Sequence, residues 1–164
     1  MKTLILFYSQ TGTTAKVAAS LSRALAATTA EIGCPRYQKS WAGPALLFYD
    51  CMGSRIPAID VPEIAFGTFD LLVLGAPVWA SLPATPLSAF LQNRRDLPAR
   101  VALVLTHDAP STPDKAIRRV ADHLPQGLER TLGVCHQDVA NNRFSSAVED
   151  FAAALRRGVG PKDL

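Results

Sequence analysis

The chain has few of the residues that hold small secreted or metal-binding domains together. Only three cysteines occur among its 164 residues, Cys34, Cys51 and Cys135, and no two of them form a CxxC pair. An odd number of widely spaced cysteines predicts reduced thiols rather than a disulfide framework, which suits a reducing cytoplasm. The three histidines are equally scattered. Metal ligands are usually more clustered, so we expect no metal site.

Long apolar runs and strong charge are also missing. No apolar run approaches the roughly 20 residues that a membrane-spanning helix needs, so we expect no membrane partner. Charged residues make up 19% of the chain, the formal net charge is +3, and the basic pairs are scattered. That distribution argues against a nucleic-acid partner. A hydrophobic content of 48% is enough for a single domain over residues 1–164, with 158–164 as a tail.

A regular alternation of strand-like and helix-like segments runs through the chain. Apolar or β-prone runs predict five strands, at 4–8, 29–34, 69–76, 101–105 and 132–135. Apolar residues at helical spacing, with capping signals, predict helices at 13–27, 45–49, 85–91, 112–124 and 146–155. The first run is too short for a signal peptide, and we interpret it as a strand. Such alternation predicts an α/β fold, with one parallel sheet covered by helices on both faces.

Three helix starts carry recognisable capping residues. Thr85 and Thr112 each precede a proline, which predicts an N-cap followed by proline in the first turn. Ser146 stands three residues before Glu149, the spacing of a capping box. We therefore expect these three hydroxyls to cap their helices.

The turn after the first strand is rich in hydroxyl groups. Ser9-Gln10-Thr11-Gly12-Thr13-Thr14 joins a buried strand to an amphipathic helix. The N-terminus of a helix leaves backbone N–H groups unpaired and carries partial positive charge. Hydroxyls and a glycine at that point form a small cup that can surround an anion. Because the cup has no lysine or arginine, it suits a phosphate monoester better than a polyphosphate. The alternative is that these residues only cap the helix, although one hydroxyl is enough for that purpose.

Other nucleotide-binding patterns are absent from the sequence. There is no GxxxxGK[ST], which argues against a P-loop nucleoside triphosphatase. There is no GxGxxG, so the fingerprint of dinucleotide-binding proteins is also missing. No acidic cluster follows Tyr8 or Leu74, where a phosphorelay receiver would need one. The hydroxyl-rich turn therefore predicts a different kind of phosphate ligand.

Two segments resemble the flavodoxin family. The first loop matches that family's phosphate-loop pattern [ST]-x-T-G-x-T at Ser9, Thr11, Gly12 and Thr14. The segment from Gly75 to Trp79, followed by residues 83–91, is similar to the family's second flavin loop and the helix after it. The resemblance implies a three-layer flavodoxin-like sandwich of the short type, with a five-stranded parallel sheet in the order 2-1-3-4-5. It also implies FMN held noncovalently.

The resemblance carries a set of FMN-binding residues to the ends of three strands. They are Ser9, Gln10, Thr11, Gly12, Thr13 and Thr14 in the first loop, Pro77, Val78, Trp79 and Ala80 in the second, and Thr106, His107 and Asp108 in the third. Trp79, after a predicted turn at Pro77, is expected to stack on the flavin ring, the alternative being core packing. Core packing is the better interpretation of Trp41. The third loop has an equal alternative as an exposed polar turn, and no catalytic residue is assigned.

The function implied by the resemblance is the transfer of reducing equivalents. The leading interpretation is a small cytoplasmic FMN-dependent oxidoreductase that meets a redox partner protein or a small electron acceptor. The alternatives are a non-enzymatic electron carrier and a regulatory domain without flavin. Carriers of the family often have a glycine where Ala80 and Ser81 stand, and a Cβ hinders a peptide that needs positive φ. Carriers are also acidic, whereas the pI here is about 8.9. Both departures favour the oxidoreductase.

Overall fold

Parallel strands form the centre of the fold. The computed structural model describes residues 1–38, 56–92, 94, 96–108 and 113–158. Within these ranges the strands are β1 (Thr3–Phe7), β2 (Thr28–Glu31), β3 (Leu71–Trp79), β4 (Leu82–Pro83), β5 (Arg100–His107) and β6 (Arg130–Cys135). Five of them are parallel, in the order β2-β1-β3-β5-β6, and the short β4 pairs antiparallel with the end of β3. With β4 set aside, this is the predicted order, so the α/β sheet prediction is confirmed.

Helices cover both faces of this sheet. In the described ranges they are α1 (Thr13–Leu25), α2 (Pro35–Gln38), α3 (Thr85–Gln92), α4 (Asp114–Ala121), α5 (His136–Ala140) and α6 (Ser145–Arg157), with a 3-10 turn at Phe66–Thr68. The short helices α2 and α5 were not predicted. No helix of the described part of the chain is both long and apolar enough to cross a membrane.

Side chains of alternating strand residues enter two separate cores. On one face Leu4 and Leu72 pack with Leu87 of α3 and Val120 of α4. On the other face Ile5 and Val73 belong to a core with residues of α1 and α6. Because both faces of β1 and β3 are buried, their sequences are continuous apolar runs, which is why the strands were recognisable.

Strand ends differ from the predictions where proline and glycine are involved. β3 does not turn at Pro77 but continues to Trp79, with Pro77 in register with Thr106 of β5. The carbonyl of Pro77 accepts a hydrogen bond from the N–H of Ala84 at 2.9 Å, because the chain folds back there as β4. β2 ends at Glu31, and Gly33 forms an antiparallel bridge with Asp60.

Two of the predicted helix caps are wrong. Thr85 is already the first residue of α3, and its Oγ1 lies 2.8 Å from the hydroxyl of Tyr37, so its side chain bonds to another element. Ser146 is the second residue of α6 and not its N-cap. The helix follows Phe144, and no side-chain hydrogen bond caps it. Gly158, predicted as the start of the tail, ends α6 at φ 61° in the left-handed region that favours glycine.

Some predictions fall outside the described residues. These are the helix at 45–49, the packing of Trp41, the thiol of Cys51, the cap at Thr112, and the tail from 159 onward. Of the other two cysteines, Cys34 is buried and Cys135 is half-buried.

The amino ends of the strands are joined by a tight ion-pair network. Arg100 at the start of β5 donates from Nε and Nη2 to the two carboxylate oxygens of Glu129, each at 2.7 Å. Its Nη2 also donates to the carbonyl of Leu155 at 2.7 Å. This hydrogen bonding to Glu129 raises the pKa of the Arg100 guanidinium. The network ties β5 to the end of α6.

Candidate functional site

A cavity lies at the carboxyl edge of the sheet. Its volume is about 150 Å3. Residues from the ends of β1, β3, β5 and β6 line it, namely Gln10, Thr11, Thr13, Thr14, Pro77, Val78, Trp79, Thr106, His107, Asp108 and His136. The structure therefore brings all three predicted loops to one place. Ser9, Gly12 and Ala80 are the predicted residues that do not line the cavity.

The first loop turns into α1 through Gly12. Its φ of 85° lies in the left-handed region, which a residue with a Cβ adopts only at a cost. The hydroxyl of Ser9 accepts a hydrogen bond from the N–H of Ala15 at 3.2 Å. Ser9 thus satisfies one N–H of the first helical turn, the capping role that was the alternative for this loop. The hydroxyls of the other loop residues have different partners.

A hydroxyl pair connects the first and third loops. Oγ1 of Thr14 lies 2.9 Å from Oγ1 of Thr106, and both side chains are buried. One hydroxyl donates and the other accepts, so the accepting one still has a proton to give. Thr14 therefore holds α1 against the end of β5, and the pair keeps one donor for a ligand in the cavity.

A chain of weaker contacts crosses the mouth of the cavity. Oγ1 of Thr11 lies 3.2 Å from Oγ1 of Thr13, which in turn lies 3.4 Å from Nδ1 of His136. The same Nδ1 is 3.6 Å from a carboxylate oxygen of Asp108. The two contacts of the imidazole are longer than a strong hydrogen bond, so the ring is not fixed by either partner.

His136 is the site residue that sequence reasoning missed. It is the first residue of α5 and follows β6 directly. The carboxyl ends of parallel strands meet at one edge, so the end of the last strand was a candidate position by the same rule that identified the other loops. The predicted site included only three of the five strand ends, and no local motif marks a single histidine.

An aromatic cluster supports Trp79 in the wall of the cavity. The ring of Trp79 meets Tyr8 and Tyr37 edge to face, with centroids 5.7 Å and 5.6 Å apart. Both tyrosines are buried, whereas Trp79 is half-buried and lines the cavity. Burial raises the pKa of the Tyr8 hydroxyl above its ordinary value. Trp79 therefore has a fixed aromatic support on one side and the cavity on the other.

The turn after Trp79 has an unusual backbone. Ala80 and Ser81 have φ values of 48° and 65°, and β4 follows immediately. A two-residue hairpin turn with both φ values positive normally contains glycine or asparagine. The Cβ atoms do not prevent positive φ here, because the pairing of β3 with β4 holds the turn in this conformation. The strain is of the order of 1–2 kcal/mol for each residue.

Two glycines allow close approaches under the site. A Cβ on Gly75 of β3 would lie 2.8 Å from Cβ of Phe7 and 3.6 Å from Cγ2 of Thr14. A Cβ on Gly133 of β6 would lie 3.1 Å from Nε2 of His107. The absent side chains leave room for the Thr14 methyl group and the His107 ring at the floor of the cavity.

Comparison with known proteins places the fold among flavoproteins. No family model and no curated protein matches the sequence. A flavoprotein from Lactobacillus acidophilus, solved in complex with FMN, is 25% identical with a TM-score of 0.67, over 88% of this chain and 98% of that one. Flavodoxin 2 from Bacillus cereus is 16% identical with a TM-score of 0.59, over 96% and 99% of the two chains.

An enzyme has the same fold. The NAD(P)H:quinone oxidoreductase from Methanothermobacter marburgensis is 14% identical with a TM-score of 0.58, over 95% of this chain and 97% of that one. These structures match the present chain over almost its full length and theirs. Strand order, the loop-one motif and these likenesses agree, and the chain has a flavodoxin-like fold.

Proposed function

We propose that the protein binds FMN in the cavity at the carboxyl edge of its sheet and transfers reducing equivalents through it. The observation that carries the proposal is the placement of hydroxyl donors and an aromatic wall in one cavity. The solved flavoprotein from Lactobacillus acidophilus, which covers most of the chain, supports the identity of the ligand. FMN supplies the redox chemistry, and the protein supplies binding, orientation and local charge.

The donors at the first loop fit the phosphate group of FMN. The first N–H groups of α1 have no partner within the helix. One of them, that of Ala15, donates to the hydroxyl of Ser9 in the preceding loop. Among the described residues, the hydroxyls of Thr11 and Thr13 contact each other at 3.2 Å, and that of Thr13 also contacts an imidazole at 3.4 Å. These groups can turn toward an anion without leaving a buried partner unpaired.

Trp79 fits the ring of the flavin. Its support by Tyr8 and Tyr37 fixes the indole before a ligand arrives, which lowers the entropy lost on binding. The cavity of about 150 Å3 is smaller than the 300–1,000 Å3 typical of sites that enclose a small ligand. A flavin here keeps part of its ring outside the walls formed by the described residues, where a redox partner protein or a small acceptor reaches it.

The leading form of the proposal is a small oxidoreductase in the cytoplasm. The basic composition of the chain favours it over a carrier that docks on basic partners. A one-electron carrier is the second candidate, and the observation that favours it is the hairpin turn, since Ala80 and Ser81 already have the positive φ that a glycine usually provides.

Reconstitution and reduction test the proposal and separate the two candidates. The purified protein is titrated with FMN and then reduced stepwise without oxygen while its absorption spectrum is followed. Widely separated one-electron potentials support the carrier, and potentials that coincide support the two-electron oxidoreductase. If FMN does not bind at micromolar concentration, the oxidoreductase and the carrier are both contradicted. The remaining alternative is then a regulatory domain that binds no flavin.

Tryptophan fluorescence tests the place of the ring. We expect Trp79→Phe to remove most of the quenching that FMN causes, because quenching is strongest for the indole in contact with the flavin. Trp41→Phe is the matched control and should keep it. The reverse result would mean that the ring does not lie on Trp79.

A further inference from the structure

We infer that His136 is a specificity-determining residue of the FMN site, which takes up a proton when the phosphate group binds. The inference rests on the proposed function and adds a cation to a phosphate cup that otherwise consists of neutral donors. It assigns to the end of β6 a role at the ligand that the first-loop motif does not include.

The placement of the ring supports this role. His136 lines the same cavity as the first loop, and its Nδ1 lies 3.4 Å from Oγ1 of Thr13. Thr13 is the first residue of α1, where an anion meets the free N–H groups of the helix. The imidazole is therefore next to the position proposed for the phosphate group.

The ring is free to exchange its partners. The imidazole is 49% exposed, and the carboxylate of Asp108, 3.6 Å away, is 92% exposed. A contact this long and this exposed contributes little, since surface ion pairs are typically worth less than about 1 kcal/mol. A phosphate dianion carries more charge than one carboxylate, so binding at the cup stabilises the protonated imidazole more than Asp108 does.

Other charged groups near the ring do not supply the same response. Asp108 and His107 come from the end of β5, and Lys16 lies in the first turn of α1. On its own element, Asp138 forms an ion pair with Arg143 at 3.3 Å. Imidazole is the side chain whose ordinary pKa lies between pH 5 and 8. The His107 ring packs over Gly133 at the floor. His136 is the histidine whose Nδ1 contacts the first loop, 3.4 Å from Oγ1 of Thr13.

Proton uptake separates this role from a purely structural one. At pH 7.5 a phosphate monoester is already almost fully dianionic, because its second pKa is about 6. A proton taken up on binding at that pH goes either to the protein or to the bound phosphate, and a variant that lacks the imidazole distinguishes the two. Riboflavin has the same ring but no phosphate, so it should bind without taking up a proton.

The test is calorimetry at pH 7.5 in buffers of different ionisation enthalpy, with FMN and with riboflavin. We expect the native protein to take up a fraction of a proton with FMN and none with riboflavin. His136→Gln should abolish the uptake and weaken FMN binding about 5- to 20-fold, with riboflavin unchanged. His136→Lys should keep the FMN affinity within about threefold but show no uptake, since lysine is charged throughout.

His123→Gln is the matched control. Its imidazole Nδ1 lies 2.9 Å from the carbonyl oxygen of Arg119, and it does not line the cavity. It should leave both affinity and uptake unchanged. Undiminished uptake in His136→Gln would overturn the inference, and so would an equal loss of FMN and riboflavin affinity. Failure of the native protein to bind either compound would instead overturn the proposed function.

Discussion

The two edges of the same sheet use polar groups in opposite ways. At the amino edge, Arg100 meets Glu129 and the carbonyl of Leu155 at 2.7 Å in three hydrogen bonds, and the Glu129 side chain is only 10% exposed. At the carboxyl edge, the contacts among Thr11, Thr13 and His136 are 3.2–3.4 Å long and lie open to solvent. The first set of groups is saturated, and the second set retains donors for a ligand.

This difference teaches where stability and function are located. Removing one partner of a shielded ion pair destabilises the fold, because the other charge is left uncompensated, and a saturated pair has no donor left for a ligand. Weakly paired hydroxyls contribute little to the stability of the fold, and they can give up their hydrogen bonds to one another and donate to an anion. We therefore expect substitutions at the amino edge to change the free energy of unfolding, and substitutions at the carboxyl edge to change ligand affinity.

The largest expected effect is at the amino edge. Arg100→Ala should lower the free energy of unfolding by about 2–4 kcal/mol, because it leaves the shielded carboxylate of Glu129 without its partner. FMN affinity should change less than twofold. Urea denaturation and an FMN titration measure the two quantities. The control is Arg143→Ala, which breaks an exposed pair with Asp138 and should cost less than about 1 kcal/mol. Equal losses in both variants would show that the Arg100 network is an ordinary surface pair.

Two threonines of the first loop sharpen the comparison within the carboxyl edge. Thr11→Val should weaken FMN binding about tenfold, a change of about 1.4 kcal/mol, and leave riboflavin binding and stability unchanged, because Thr11 is exposed. Thr14→Val should also lower the free energy of unfolding by about 1–3 kcal/mol, since the buried Thr106 hydroxyl loses its partner. Binding titrations and thermal denaturation separate the two effects. A Thr11→Val variant that loses FMN and riboflavin equally would contradict the phosphate role.

The buried tyrosine hydroxyl behind Trp79 should be shielded from water, as the carboxylate of Glu129 is at the amino edge. Burial raises the pKa of Tyr8, so this group stays neutral in the folded protein at pH values where an unfolded tyrosine ionises, near pH 10. Its contribution to stability is complete below that pH and is lost as the pH rises above it. Between pH 8 and pH 11 the free energy of unfolding should therefore fall by about 1.4 kcal/mol less in Tyr8→Phe than in the native protein. Denaturation curves at pH 8 and pH 11 test this, and an identical alkaline loss in both proteins would mean that the hydroxyl is solvated.

The smallest effects concern two alanines with positive φ, one at each edge. Ala26 ends α1 at φ 50°, and Ala80 begins the turn after Trp79 at φ 48°. Replacement of either by glycine should raise the free energy of unfolding by about 0.5–1 kcal/mol, as strain is relieved but unfolded-chain entropy increases. Only Ala80→Gly should also change the flavin-dependent quenching of Trp79. A change in quenching with Ala26→Gly would show that the two edges are coupled.

The sheet could be predicted from the sequence because its central strands β1 and β3 are buried on both faces, so Leu4–Phe7 and Leu71–Leu74 appear as uninterrupted apolar runs. The position of the candidate site could also be predicted, because ligands of open parallel sheets bind at the loops that follow the carboxyl ends of the strands. The hairpin at Ala80 and Ser81 could not be predicted, since neither residue is typical of a turn with positive φ and tertiary pairing imposes it. The same holds for Thr85, whose hydroxyl bonds to Tyr37 rather than capping its helix.

The most direct test of the central claim is a crystal structure of the protein with FMN. The account predicts the phosphate group within hydrogen-bond distance of the Thr11 hydroxyl and the N–H groups at the start of α1, with the flavin ring against Trp79. A structure grown with excess FMN in which the carboxyl edge is empty, or in which the flavin lies elsewhere, would contradict it.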